Sequence, residues 1–309
     1  MKILNFSTTP EVSRSATLRA SLEQGTLAVP GAFNAFSARL IEESGMPAVY
    51  VSGAGLSASR GLPDIGLLSL EEVTEETRRI CQAVRIPVIV DADTGFGDVE
   101  QVRRTVQALE AAGVSGIQLE DQVFPKRCGH LSGKQIVNCQ EMCDKIAAAV
   151  SAKHDRDLLI IARTDARAIE GIEGAIERAK AYQAVGADAI FPEALESVEE
   201  FERFAMSFRM ARIPLLANMT EWGKTPMLSV HEFSQLGYHI VLFPMTMFRM
   251  MAKSMEMGLM ELQSRGTQKE LLDLMQPRSE LYRVLRYETN DELNGIKKER
   301  QVLHVDDES

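Results

Sequence analysis

Apolar and polar positions along the chain repeat one unit: an amphipathic helical stretch ending near a glycine, a short apolar run, then a polar or acidic tip. The unit reads Gly45-Met46-Pro47-Ala48-Val49-Tyr50-Val51-Ser52 and returns as Gly113-Val114-Ser115-Gly116-Ile117-Gln118-Leu119-Glu120. Gly186-Ala187-Asp188-Ala189-Ile190-Phe191-Pro192-Glu193 and Gly237-Tyr238-His239-Ile240-Val241-Leu242-Phe243-Pro244 are two further copies. Glycine supplies the left-handed residue that ends a helix, and the apolar run suits a strand buried on both faces. Similar runs occur at Thr26–Gly31, Ile86–Asp91, Asp157–Arg163 and Ile213–Asn218, which makes eight candidate strands. Helical segments separate them, the alternation of a parallel sheet, and eight units over roughly 240 residues predict a closed (β/α)₈ barrel.

A barrel places chemistry at the C-terminal ends of its strands. The tips here carry Tyr50-Val51-Ser52-Gly53, Asp91-Ala92-Asp93, Glu120-Asp121, Arg163-Thr164-Asp165, Glu193 and Asn218-Met219-Thr220. After the eighth strand a Met-rich helix is predicted from Met245 to about Met260, and a second helical run from about Arg278. Methionine at helical spacing points to adaptable packing, here over a subunit contact. The expected organisation is one catalytic domain over 1–309, with the barrel at about 26–250, C-terminal helices at about 251–295 and a loose tail at about 296–309.

Composition narrows the class. The chain has 309 residues, 45% hydrophobic and 25% charged, with a formal net charge of −10 and no basic stripe, which argues against nucleic acid as a partner. No apolar run reaches the roughly 20 residues needed to span a bilayer. Met1-Lys2-Ile3-Leu4-Asn5-Phe6-Ser7 turns polar too early for a secretory signal, and four cysteines in a chain of this length are no disulfide framework. A reduced, cytoplasmic setting is therefore expected. Cys139 and Cys143 share a helical face, but no further ligand stands at zinc spacing.

The densest chemistry lies at Pro125-Lys126-Arg127-Cys128-Gly129-His130, in a loop after the fourth strand. Lys, Arg and His beside a thiol stabilise its thiolate, and glycine lets backbone approach a ligand. Asp91 and Asp93 lie two apart, so on an extended strand both carboxylates would face one side. Such a pair, with Glu120 nearby, suits Mg²⁺, which binds one or two carboxylates and keeps several waters. Arg163 at a neighbouring tip offers a bidentate fork for a carboxylate, and Asn218 and Thr220 add neutral donors. The inferred substrate is a small polycarboxylate. Gly53-Ala54-Gly55-Leu56-Ser57-Ala58 also fits G-x-G-x-x-A, but Arg60-Gly61-Leu62-Pro63-Asp64 is expected to break the helix that a nicotinamide-dependent dehydrogenase needs there.

Lys126-Arg127-Cys128-Gly129-His130, together with Asp91-Ala92-Asp93-Thr94-Gly95-Phe96-Gly97, resembles the signature of the isocitrate lyase and phosphoenolpyruvate mutase superfamily. The likeness runs from about Gly31 to Glu280, through Ala162-Arg163-Thr164-Asp165-Ala166, Phe191-Pro192-Glu193-Ala194 and Ala217-Asn218-Met219-Thr220-Glu221. It is nearest to the members that cleave (2S,3R)-2-methylisocitrate to pyruvate and succinate in the methylcitrate cycle of propionate degradation. Phosphonate-forming members lack the cysteine.

The resemblance implies Mg²⁺, with Mn²⁺ as an alternative, held by Asp91 and Asp93 with Asp64 and Glu120 in the outer shell. It implies substrate contacts from Ser52, Gly53, Ala54, Cys128, Gly129, Arg163, Glu193, Asn218, Met219, Thr220, Arg249 and Arg278. The family often has glycine where Ala54 stands, and only its backbone is needed. Cys128 would protonate the succinate carbanion, with Lys126 and His130 as its catalytic company and Tyr50 as one candidate to take the 2-hydroxyl proton. A homotetramer joined through the C-terminal helices is implied as well. Isocitrate lyases carry an inserted segment that this chain lacks, and Phe191-Pro192 and Leu242-Phe243-Pro244 are apolar enough to house a methyl group. Isocitrate, dimethylmalate and oxaloacetate are the alternative substrates.

Overall fold

The computed structural model describes residues 13–127, 129 and 133–287. Eight parallel strands run β1 Leu27–Ala32, β2 Val49–Val51, β3 Val88–Asp91, β4 Gly116–Glu120, β5 Leu159–Thr164, β6 Ala189–Pro192, β7 Leu216–Asn218 and β8 Ile240–Phe243. Their order, β6-β5-β4-β3-β2-β1-β8-β7, leaves one seam, which the Ile190–Leu215 bridge closes with Ile190 N donating to Pro214 O at 3.0 Å. The helices are α1 Arg14–Gln24, α2 Ala35–Glu43, α3 Gly53–Ser59, α4 Leu70–Ala83, α5 Val99–Ala112, α6 Cys139–Ala152, α7 Arg167–Ala184, α8 Val198–Phe208, α9 Val230–Leu236, α10 Thr246–Arg265 and α11 Arg278–Leu285. The chain divides into two compact units, one up to Met251 and the other from Ala252. Among the described residues no helix is long and apolar enough to cross a membrane.

Strand alternation sorts the apolar residues into two layers. Val29, Tyr50, Ile89, Leu159, Ile161, Phe191, Leu216, Ile240 and Leu242 form one buried cluster inside the barrel. The intervening residues, such as Val49, Val51, Val88, Val90, Ile117, Ile160, Ile190 and Val241, pack with the helices in the other. Extended by one or two residues, the inward set ends in Ser52, Asp91, Glu120, Arg163, Glu193, Asn218 and Pro244. The same alternation that fills the barrel therefore crowns it with polar groups.

Helix α1 has no counterpart in the periodic pattern. Its apolar face consists of little more than Leu18 and Leu22, both buried in the interior cluster, and Arg19 Nη2 anchors it to Asp188 Oδ1 at 2.7 Å. Leu18→Ala is expected to lower stability by about 2–5 kcal/mol through the cavity it leaves. Urea unfolding should show a lower midpoint, while turnover of the folded enzyme is kept.

The Met-rich segment is helical over α10, which buries none of its residues, with Met250 62% and Met260 68% exposed. Helix α3 opens directly after β2 and stops where the break is expected, with Arg60 as its C-cap. Ser52 caps it by accepting from Gly55 N at 3.3 Å, but it ends at Ser59, four residues before Pro63 and too short to carry a dinucleotide-binding helix.

Candidate active site

The inward strand tips surround a cavity of about 310 Å³ lined by Tyr50, Ser52, Ala54, Asp64, Asp91, Lys126, Gly129, Arg163, Phe191, Glu193, Asn218, Thr220 and Arg249, among others. One wall is acidic. Strand β3 ends at Asp91, and Asp93 takes a left-handed conformation (φ 47°), so the two aspartates do not share an extended strand. They converge because the chain turns back on itself, with Asp93 N donating to Asp91 Oδ1 at 3.1 Å. Gln118 Nε2 donates to the same oxygen at 3.1 Å, and Gly53 N to Asp91 Oδ2 at 3.4 Å. A Cβ on Gly53 would stand 3.1 Å from Asp91 Oδ2 and 3.2 Å from Asp93 Oδ1, so only glycine lets the start of α3 approach both carboxylates without crowding.

Lys126 projects into this wall, its Nζ 2.5 Å from Asp64 Oδ1 and 3.0 Å from Asp93 Oδ1. Burial alone would lower the ammonium pKa, but Asp93, Glu120, Asp91 and Asp64 together outweigh it and hold Lys126 well above its usual value. Burial pushes Asp93 up to about 6, against the pull of Lys126 and with Asp91 and Asp64 adding to the rise. Glu120 is likewise held well above the carboxylate range by burial, although Arg163 and Lys126 oppose the shift.

Neither Glu120 oxygen has a hydrogen-bond donor, and Asp93 Oδ1 also lacks one despite the Lys126 ion pair. Buried oxygens left in this state are costly, and they fit a hard divalent cation. No group of three or more His, Cys, Asp or Glu side chains among the described residues gathers closely enough to hold a metal. A cation here would complete its shell with water and substrate oxygens, which is how Mg²⁺ is commonly bound.

The opposite wall is built on Arg163. Its Nε donates to Asp165 Oδ2 at 2.9 Å and its Nη2 to Asp165 Oδ1 at 3.2 Å, while Nη1 lies 3.3 Å from Glu120 Oε2. The guanidinium stands over the Phe191 ring at 5.3 Å from its centroid. Burial by itself would depress Arg163, but Asp165, Glu120 and Glu193 keep it firmly cationic. Asn218 Nδ2 donates to both Glu193 oxygens at 3.3 Å, and Asn218 Oδ1 has no donor. Gly129 closes this wall, because a Cβ there would overlap the Glu193 carboxylate and the Arg163 guanidinium.

Several expected residues fall elsewhere. Cys128 and His130 lie outside the described residues. Met219 continues the outward set, so its side chain is buried in the core between barrel and helices and not in the cavity lining. Arg278 opens α11 in the unit from Ala252, where it is exposed. Arg249 does line the cavity, with Nε 3.2 Å from Glu221 Oε2 and its guanidinium 5.1 Å from the centroid of exposed Trp222. Tyr50 donates its hydroxyl proton to Gln118 Oε1 at 2.5 Å, and burial, then Asp91, raises its pKa well above 10. It is held as a neutral phenol, a poor proton acceptor. Gln118, Lys134 and Asp165 were not expected as site residues. The only signal for Gln118 is a polar residue in the middle of an apolar strand.

The sequence matches the family described as phosphoenolpyruvate phosphomutase over residues 18–263. A 2-methylisocitrate lyase from Aeropyrum pernix is 51% identical over 271 residues, covering 87% of this chain and 86% of that protein. The 2-methylisocitrate lyase of Bacillus subtilis is 46% identical, covering 84% of this chain and 85% of its own. Among solved structures, a 2,3-dimethylmalate lyase superposes with a TM-score of 0.83 at 33% identity, covering 95% of both chains. A phosphonopyruvate hydrolase in complex with oxalate and Mg²⁺ superposes with a TM-score of 0.80 at 31% identity, covering 94% of this chain and 98% of that one. With a carboxylate pair and an arginine clamp facing each other across the rim of an eight-stranded barrel, the chain belongs to the phosphoenolpyruvate phosphomutase family, within the superfamily that also contains the isocitrate lyases.

Proposed function

We propose that this protein cleaves 2-methylisocitrate to pyruvate and succinate in a Mg²⁺-dependent reaction. Its class, a carbon–carbon lyase, is carried by relatives named for that activity at 43–51% identity over most of the chain. The observation that carries the reading is the pairing, across one small cavity, of an acidic wall whose Glu120 and Asp93 oxygens lack hydrogen-bond donors with a wall that presents Arg163. A polycarboxylate needs both: oxygens for a cation at its hydroxy-acid end and cationic or neutral donors along the rest.

Asp91 and Asp93 would hold Mg²⁺, with Asp64 and Glu120 beyond them, and the ion when bound supplies Lewis-acid stabilisation of negative charge at the 2-hydroxyl oxygen. Ser52 and the Gly53–Ala54 backbone orient the same end of the substrate. Arg163, fixed by the Asp165 fork, and Asn218 orient the other carboxylates. As the hydroxyl gives its proton to a general base and the carbon–carbon bond breaks, one half leaves as a 2-oxo acid and the other as a carbanion. Cys128 returns a proton to that carbanion as general acid.

Phe191, Leu242 and Pro244 line the cavity, whereas Pro192 and Phe243 fall on the outward set and do not. An apolar wall of this kind favours an added methyl group by about 1–3 kcal/mol, a preference over isocitrate and not an exclusion of it. A cytoplasmic homotetramer completes the proposal.

Cys128→Ser tests the proton transfer. The variant is expected to bind Mg²⁺ and succinate nearly as the parent does, yet to lose about 10²–10⁴-fold in turnover. Unchanged turnover would remove Cys128 from the mechanism. The substrate is decided by rates on methylisocitrate, isocitrate, dimethylmalate and oxaloacetate with Mg²⁺ and with chelator. Faster turnover of any of the last three than of methylisocitrate would overturn the assignment.

A further inference from the structure

Behind the arginine clamp, Lys134 and Asp165 form an ion pair whose side chains are 2% and 0% exposed, with Nζ 2.7 Å from Asp165 Oδ1. The same Nζ donates to the Gly129 carbonyl at 2.5 Å. Asp165 is also the carboxylate that takes both Arg163 donors, so one anion holds the clamp and the lysine together. Asp165 is itself pinned, its backbone N donating to Asp121 Oδ1 at 2.8 Å. Asp121 in turn accepts from the Thr164 and Tyr182 hydroxyls at 2.7 and 2.8 Å.

Stability is a weak reason for such a pair, since an apolar replacement of a buried ion pair is often neutral or stabilising. Geometry offers a better one. Gly129 sits where even a methyl group would strike Glu193 and Arg163, so its backbone lies too close to both to admit a side chain. Lys134 is the side chain that ties this backbone to the rigid end of β5.

We propose that Lys134 is a positioning residue, holding the Gly129 backbone against the Arg163–Glu193 wall through the shared Asp165 carboxylate. Its effect on turnover rests on the lyase reading above, but the tether itself does not. In Lys134→Met the Arg163 fork to Asp165 stays intact while the Gly129 carbonyl loses its donor. Trypsin cleavage after exposed Arg127 should then accelerate about tenfold or more, as local opening becomes easier. With 2-methylisocitrate, kcat should fall about 30-fold or more with KM changed by no more than about threefold, because small misplacements near reacting groups cost up to about 10²-fold. Lys134→Arg, which keeps two-point donation, should recover part of both effects. Should Lys134→Met fail to fold, Lys134→Gln, which is uncharged and one bond too short to span both Gly129 O and Asp165, takes its place.

Wild-type cleavage by trypsin, or wild-type kcat in a folded variant, overturns the proposal. A merely structural role would lower the melting temperature without splitting kcat from KM, and that pattern overturns it too. If the parent protein turns over none of the four diacids, the lyase reading fails while the trypsin comparison still decides the tether.

Discussion

Asp93→Asn is expected to lose about 10³-fold in cleavage rate and its response to Mg²⁺, because Lewis-acid stabilisation worth several kcal/mol disappears at roughly 1.4 kcal/mol per tenfold. Asp93 is the informative member of the pair. Asp91 also accepts from Asp93 N, Gln118 and Gly53 N, so its removal would disturb the turn as well as the charge. The Asp93 side chain instead meets Lys126, which keeps Asp64 as a partner after the substitution. The barrel should therefore remain folded, with a near-normal unfolding midpoint. Calorimetric titration with Mg²⁺ gives a readout independent of turnover: affinity should drop by an order of magnitude or more. Parental Mg²⁺ affinity in the variant would place the cation elsewhere.

Gly129→Ala is expected to lose about 10²-fold or more in kcat/KM and about 1–3 kcal/mol of stability through overpacking. The backbone at this position is not left-handed, so alanine meets no conformational penalty. The difficulty is steric, as its methyl group would overlap Glu193 and Arg163, both buried and held by partners on neighbouring strands. Either the loop backbone or the clamp must shift, and both line the cavity proposed to take the substrate. Gly133→Ala provides the contrast. There φ is 78° and the nearest group is the Arg127 guanidinium at 3.3 Å, so backbone strain outweighs crowding. Its loss of activity should be smaller. Equal losses for the two substitutions would mean that the loop responds to any added methyl group and that the close approach at Gly129 has no special role.

Much of the rim follows from alternation alone. Once eight buried strands are placed, period two carries the interior residues Tyr50, Ile89, Gln118, Ile161, Phe191 and Leu216 outward to Ser52, Asp91, Glu120, Arg163, Glu193 and Asn218. The same parity explains why one residue of a matching motif packs away from the cavity. Met219 lies inside a matching segment, yet it is one residue out of phase and joins the core. Asp93 is in phase but beyond the strand, and it reaches the site through a left-handed turn that spacing cannot reveal. Helix α1 leaves no signal in the pattern because two leucines make no periodic face; its place is set by the interior cluster that buries them.

Taken by itself, the order of residues determined the barrel, the strands that build it and the side chains at its mouth, because burial and period-two alternation are local properties of the chain. Only the tertiary structure decided which of those side chains meet. The convergence of Asp91 and Asp93 around Gly53, the Lys126 bridge to Asp64, and the joining of Arg163, Lys134 and Gly129 at Asp165 all connect residues from different loops. Their energies depend on distances and burial that exist only once the barrel has closed.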